Sequence, residues 1–129
     1  MTANSPNPVA LIVGGSSGMG LETARLLRKR GLDLILLSHD PVKLEAARAD
    51  LAHAPGGVID VTVIDLYNEA AVDALIGRLD SETRHIKFLV NAAGAFKPTS
   101  FFDHSKADYE KYLGLNRSFF FITQAWPGT

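Results

Sequence analysis

The sequence predicts an α/β fold in which helices cover both faces of a parallel sheet. Short apolar runs rich in β-branched residues alternate with longer segments whose apolar residues recur at helical spacing. Four such pairs follow one another within 129 residues, and a glycine-rich turn separates the first strand from the first helix. This alternation is typical of parallel strands joined by right-handed helical crossovers, so a three-layer arrangement is expected.

The predicted elements are bounded by residues that commonly start or end helices. Strands are predicted at 9–13, 34–38, 58–66 and 88–90, and helices at 21–30, 42–51, 68–79 and 106–126. The first helix ends in a run of cations before Gly31, as helix C-termini often do. Asp40 precedes Pro41, which is the pattern of an N-cap followed by proline at the first helical position. Residues 1–8 are predicted to be a flexible tail, and residues 9–129 a single domain.

The composition argues against several classes of function. Apolar residues make up 47% of the chain and charged residues 21%, which is ordinary for a globular domain. The net charge of −1 offers no basic surface for nucleic acid or anionic lipid. The chain has no cysteine, and its four histidines lack metal-ligand spacing, so no metal site is expected. Without an apolar run of about 18 residues or a secretory leader pattern, a cytoplasmic location with no membrane partner is expected.

The glycine-rich turn is the strongest local signal for a ligand. Such a turn between a strand and a helix lets the backbone approach a pyrophosphate, whose charge is met by N–H groups at the helix start. The turn lacks the Gly-Lys-Ser/Thr sequence of a P-loop, which disfavours a nucleoside triphosphatase. A plain tight turn that needs positive φ is the alternative. The candidate cofactor contacts in the turn are Gly14, Ser16, Ser17, Gly18, Met19 and Gly20.

Three later segments carry further polar and small residues at the ends of predicted elements. Asp65 and Leu66 end the third strand, and Asn116 lies within the last helix. The fourth strand runs into Asn91, Ala92, Ala93 and Gly94. Together with the glycine turn, and in this order, these segments resemble the short-chain dehydrogenase/reductase family. The resemblance extends from about residue 8 to about residue 125.

This resemblance implies a Rossmann-type sheet with strand order 3-2-1-4 and hydride transfer between a nicotinamide dinucleotide and a carbonyl/alcohol pair. It implies that Asp65 contacts the adenine and that Asn116 is one of four catalytic residues. Val13 stands where the family usually has threonine, which is a departure in the turn itself. Each match also has a plainer interpretation. Asp65 could end a strand or cap the next helix, Asn91 could be a turn former, and Asn116 could be an exposed helix residue.

The end of the second strand bears on the choice of cofactor. By the family's pattern, Ser38 occupies the place of the acid that selects NAD, and His39 the place of the arginine that selects NADP. Counting from the glycine turn instead points to Asp40, which its N-cap position also explains. Because no carboxylate occupies position 38 and His39 can donate a hydrogen bond, NADP(H) is favoured over NAD(H).

The chain lacks the family's tyrosine and lysine pair. The residues four positions after Tyr67, Tyr109 and Tyr112 are alanine, leucine and asparagine, so no YxxxK sequence is present. The chain is therefore predicted to be the cofactor-binding half of an enzyme and inactive alone. A non-catalytic nucleotide-binding or partner-binding module, and an enzyme completed by a separate chain, are the alternatives. Self-association through the fourth strand or the last helix is also expected, because a truncated sheet leaves an apolar edge.

Overall fold

The sheet consists of four parallel strands. The computed structural model describes residues 5–94 and 98–126; residues 1–4 of the predicted tail and residues 95–97 and 127–129 of the predicted domain lie outside this description. The strands are β1 (Val9–Val13), β2 (Asp33–Ser38), β3 (Ile59–Val63) and β4 (Ile86–Asn91), in the order β3-β2-β1-β4. All three neighbouring pairs are parallel. The predicted sheet and its strand order are confirmed.

The helices are α1 (Gly18–Lys29), α2 (Pro41–Leu51), α3 (Glu69–Asp80) and α4 (Lys106–Ala125), and a short 3₁₀ turn, Phe101–Asp103, precedes α4. The helix α1 begins three residues before its predicted start, because the N–H of Leu21 already bonds to the carbonyl of Ser17 at 3.3 Å. The strand β3 ends at Val63 and not at residue 66. Asp65 turns the chain there, since its carboxylate accepts a hydrogen bond from the N–H of Tyr67 at 2.9 Å.

Two helices pack on each face of the sheet. Residues of β1 and β2 are buried throughout, as expected for strands covered on both sides. On one face, α3 and α4 contribute apolar side chains that include Leu75 and Ile122, whereas α1 and α2 contribute Ala24 and Leu44 on the other. Every helix in the described segments is too short or too polar to traverse a lipid bilayer.

Arg28, in the basic last turn of α1, is buried and donates hydrogen bonds to the segment that connects α2 to β3. Its Nη1 donates to the carbonyl of Leu51 at 2.5 Å and to that of Ala54 at 2.6 Å. Its Nε donates to the carbonyl of Gly57 at 3.0 Å. The guanidinium, with its several N–H donors, thereby satisfies carbonyls at the last residue of α2 and beyond it.

The strand β4 is an edge of the described sheet, and α4 is tied to its start. The indole N–H of Trp126 donates to the carbonyl of Ile86 at 2.9 Å. Phe88 pairs in register with Ala10, so its side chain points to the face that carries α1 and α2. No described helix covers it fully, because the side chain is 40% exposed. The expected apolar edge is present, and self-association through it stays a prediction.

A cluster of charged side chains lies at the amino-terminal ends of the strands. Arg84 is almost fully buried, and it contacts Asp60 at 3.0 Å and Glu82 at 3.1 Å. Burial opposes the ionised form of Glu82, but hydrogen bonds from Arg84 hold the pKa of this carboxyl below its ordinary value. Burial also opposes the ionised form of Asp33. Hydrogen bonds from Ser5, Asn7 and Val58, together with the charge of Arg84, nevertheless lower the pKa of this carboxyl. These groups stabilise the end of the sheet that faces away from the glycine turn.

Candidate cofactor site

A cleft of about 500 Å³ lies at the carboxyl-terminal ends of the strands. Ligands of open parallel sheets bind at this edge, near the point where the strand order reverses, here between β1 and β4. The cleft brings together ten of the predicted site residues from four separate segments. They are Gly14, Ser16, Ser17, Ser38, His39, Asp65, Leu66, Ala92, Ala93 and Gly94.

The other predicted residues lie beside this cleft. Gly18, Met19 and Gly20 form the first turn of α1. Asn91 and Asn116 line a smaller cavity of about 210 Å³, which shares Leu66, Ala93, Gly94 and Leu115 with the main cleft. The two cavities therefore adjoin one another.

The glycine turn packs directly against the segment that follows β4. Gly14 has φ of +84°, and the N–H groups of Gly14 and Gly15 both bond to the carbonyl of Leu37, at 2.8 and 3.2 Å. A Cβ at position 14 would lie 2.6 Å from the backbone nitrogen of Ala93. A Cβ at Gly20 would lie 2.1 Å from the carbonyl oxygen of Gly14. Backbone atoms thus exclude a side chain at positions 14 and 20, and this lets the turn lie close to the segment after β4.

The first turn of α1 has N–H groups that no described side chain caps. Ser17 occupies the N-cap position in an extended conformation without a side-chain hydrogen bond, and the first turn carries no acidic residue. In α2, α3 and α4 the corresponding groups are capped by Asp40, Asn68 and Ser105. Because helix N-termini attract anions through these groups and the helix dipole, α1 is suited to a phosphate in the cleft.

Two serine hydroxyls bridge the glycine turn and the end of β2. Ser16 Oγ lies 2.8 Å from Ser38 Oγ, and His39 is exposed beside them at the cleft. The Asp40 carboxylate instead accepts hydrogen bonds from the N–H groups of Val42 at 3.0 Å and Lys43 at 3.1 Å. The bond from Lys43, with that from Val42, lowers the pKa of Asp40 below its ordinary value. Asp40 is therefore committed to the start of α2, as its position before Pro41 predicted.

The ends of β3 and β4 are both shaped by side chains that bond to the backbone two residues later. Asp65 does so with the N–H of Tyr67, and Asn91 Oδ1 accepts from the N–H of Ala93 at 3.1 Å. Asn68, and not Asp65, caps α3, so the helix-capping interpretation of Asp65 is wrong. The turn-forming interpretation of Asn91 describes its observed hydrogen bond.

Asn116 is exposed on α4 next to the smaller cavity. One turn earlier, the hydroxyl of Tyr112 lies 3.2 Å from Nε2 of His104, and Tyr112 lines the same cavity. Sequence reasoning did not identify Tyr112, nor Tyr67 and Leu115 of the main cleft. In the described segments, no group of three or more His, Asp or Glu side chains is arranged to hold a metal ion.

The geometry fits a dinucleotide. The peptide groups of the turn and the uncapped start of α1 suit a pyrophosphate, and the hydroxyls at the end of β2 suit a ribose or its phosphate.

Comparisons with known proteins identify the family of this chain. A family model described as short chain dehydrogenase matches residues 8–126. A curated relative, 2,3-dihydro-2,3-dihydroxybenzoate dehydrogenase from Bacillus subtilis, is 30% identical over 108 residues, which is 84% of this chain and 41% of the relative. An uncharacterized oxidoreductase from Staphylococcus haemolyticus is 29% identical over 108 residues, 84% of this chain and 46% of its own length.

Solved structures resemble the chain closely. A short-chain dehydrogenase from Sphingobium yanoikuyae in complex with NADPH superposes with a TM-score of 0.84 at 32% identity, covering 92% of this chain and 46% of its own. A bulky-bulky ketone specific alcohol dehydrogenase from Comamonas testosteroni gives a TM-score of 0.85 at 27% identity, with 94% and 48% covered.

The chain therefore spans under half the length of these four relatives. On the family match and this geometry together, the chain belongs to the short-chain dehydrogenase family.

Proposed function

We propose that this chain is the dinucleotide-binding portion of a short-chain dehydrogenase that transfers hydride between NADP(H) and a carbonyl/alcohol pair. The observation that carries the proposal is the turn at Gly14, held against Ala93 so that no side chain fits between them. A bound nicotinamide dinucleotide would supply the hydride. The chain's own part is to bind the pyrophosphate at the turn and α1, and to direct the nicotinamide half toward the cavity beside Asn116.

NADP(H) is favoured by the groups at the end of β2. A 2′-phosphate next to the Ser16 and Ser38 hydroxyls would meet hydrogen-bond donors and the exposed His39. A ribose-binding carboxylate, which would repel that phosphate, is missing from position 38. Asp40 does not take its place, because its carboxylate is bound to two N–H groups of α2.

The purified chain is expected to bind NADPH more tightly than NADH in calorimetric titration. The variant Ser38→Asp should weaken NADPH binding by about tenfold or more, because a carboxylate roughly 4 Å from a phosphate costs about 1–4 kcal/mol. The affinity of Ser38→Asp for NADH should be unchanged or higher. Asp40→Asn is the matched control, since asparagine also caps helices and should leave the NADPH to NADH ratio unchanged. Tighter NADH binding by the unaltered chain, weakened in Asp40→Asn, would overturn this cofactor choice.

The chain alone is expected to bind the cofactor without turnover. A positioned general acid or base contributes typically about 10²- to 10⁴-fold to rate, and the YxxxK sequence that supplies it in the family is missing here. NADPH oxidation would be followed at 340 nm with a panel of aldehydes and ketones. Turnover that saturates with carbonyl substrate would contradict the expectation and point to an acid within these residues.

A non-catalytic module that binds the cofactor alone is the second candidate. The residues of the main cleft support this module as well as they support the dehydrogenase portion, because both functions need a cofactor to bind there. Adding a second polypeptide that carries the remainder of a family member separates the two. Restored turnover in the mixture favours the dehydrogenase.

A further inference from the structure

Tyr67 is an aromatic side chain at the rim of the main cleft that the proposed function has not used. It follows Leu66 directly and lines the cleft together with Asp65. Its side chain is about half exposed. An aromatic ring left accessible beside a ligand cleft offers an apolar face for stacking.

The backbone that carries Tyr67 is fixed from three directions. Its N–H donates to the Asp65 carboxylate at 2.9 Å. The hydroxyl of Ser118 on α4 donates to the carbonyl of Leu66. The N–H of Asn68, which caps α3, donates to the carbonyl of Asp65 at 3.0 Å. The backbone at Tyr67 is therefore held in place by the chain's own hydrogen bonds.

One edge of the Tyr67 ring rests on α4 at Gly114. A Cβ at Gly114 would lie 3.1 Å from Cδ1 and 3.5 Å from Cε1 of the ring. Glycine inside a helix costs about 1 kcal/mol relative to alanine, so this residue is an unfavourable choice for the helix itself. Its effect here is to let one edge of the ring lie close to α4, while the Tyr67 side chain stays about half exposed.

The strand order indicates which part of a dinucleotide reaches Tyr67. With the pyrophosphate over the turn after β1, the adenosine ribose lies at the end of β2. The strand β3 is the next strand outward, so the purine base extends toward the residues that follow it. Tyr67 lies four residues beyond the end of β3 and lines the cleft.

We propose that the ring of Tyr67 packs against the purine base of the bound cofactor and forms one wall of its site. This inference rests on the proposed dinucleotide binding. Stacking of a base on an aromatic side chain is sequence-tolerant and contributes substantially to affinity, as judged by alanine substitution.

The test is a titration of Tyr67→Ala and Tyr67→Phe with NADPH and with 2′,5′-ADP, which carries the purine end alone. Tyr67→Ala should bind both probes roughly five- to a hundredfold more weakly, and Tyr67→Phe should stay within about twofold of the unaltered chain. Tyr109→Ala is the matched control, because Tyr109 is also an exposed tyrosine, on α4, and does not line the cleft. It should change neither affinity.

The outcomes separate the two proposals. If the unaltered chain binds neither probe, the proposed function fails. If it binds both and Tyr67→Ala binds them equally well, the assignment of Tyr67 is wrong. Should Tyr67→Ala fail to fold, as judged by circular dichroism, Tyr67→Leu decides, since it keeps apolar bulk but loses the ring. It is expected to weaken 2′,5′-ADP binding, and unchanged binding would overturn the proposal.

Discussion

Gly14→Ala is expected to remove dinucleotide binding and to destabilise the fold. Gly14 has φ of +84°, which strains any residue with a Cβ. The added carbon would also lie 2.6 Å from the nitrogen of Ala93, a backbone atom that cannot move without displacing the end of β4. Strain and overpacking each cost roughly 1–3 kcal/mol. We expect the free energy of unfolding, measured in urea, to fall by about the sum of these two costs. The affinity for NADPH should be at least about a hundredfold lower.

Gly77→Ala is the control for this variant. Gly77 lies within α3, and a Cβ there would meet nothing within 4 Å. Alanine should be neutral or should raise the free energy of unfolding by up to about 1 kcal/mol, with binding unchanged. Binding by Gly14→Ala within a few fold of the unaltered chain would show that the turn is not the pyrophosphate site.

Arg84→Met is expected to be the most destabilising single change away from the cleft. The Arg84 side chain is 6% exposed, and its partners Glu82 and Asp60 are 5% and 18% exposed. Removing the cation leaves two buried carboxylates without their charge partner, which typically costs about 3–5 kcal/mol. Arg48→Met is the matched control. Its ion pair with Glu45 is roughly half exposed, so the loss should be within about 1 kcal/mol.

The pH dependence gives a second measure of the same contact. The pKa values of Glu82 and Asp33 are lowered in the folded chain. The stabilisation that these two ionised carboxylates give to the fold is therefore complete above their unfolded-state pKa values of about 4. It is lost as the pH falls through the folded values. In Arg84→Met, no cation offsets the effect of burial on Glu82, so the pKa of Glu82 should rise. The stability difference between the two proteins should be largest at pH 7. It should narrow as the pH falls, first through the raised pKa of Glu82 in the variant and then through the lowered pKa of Glu82 in the unaltered chain. A difference that stays constant with pH would contradict this account.

The fold was predictable from sequence because its signals are local. Apolar runs, a glycine turn and Asp40 before Pro41 each identify an element from a few neighbouring residues. Boundaries were less accurate where long-range contacts decide them. The strand β4 begins at Ile86 because it pairs with β1, and no local pattern at residues 86–87 predicted this.

The sequence predicts the site residues that lie in the family motifs, but it does not predict the others. Gly14, Asp65 and the segment after β4 do meet in one cleft, as their positions at strand ends implied. Tyr67 was missed because its access to the cleft depends on Gly114, which lies 47 positions further along the chain. The sequence places Arg28 only in the run of cations at the end of the first helix, because the carbonyls that Arg28 bonds belong to a later part of the chain.

The charged cluster around Arg84 and the glycine turn lie at opposite ends of the same strands. A strand of five residues such as β1 spans about 17 Å, which exceeds the roughly 7–10 Å within which the effects of two mutations usually couple. Changes at Gly14 and Arg84 should therefore act additively on the unfolding free energy.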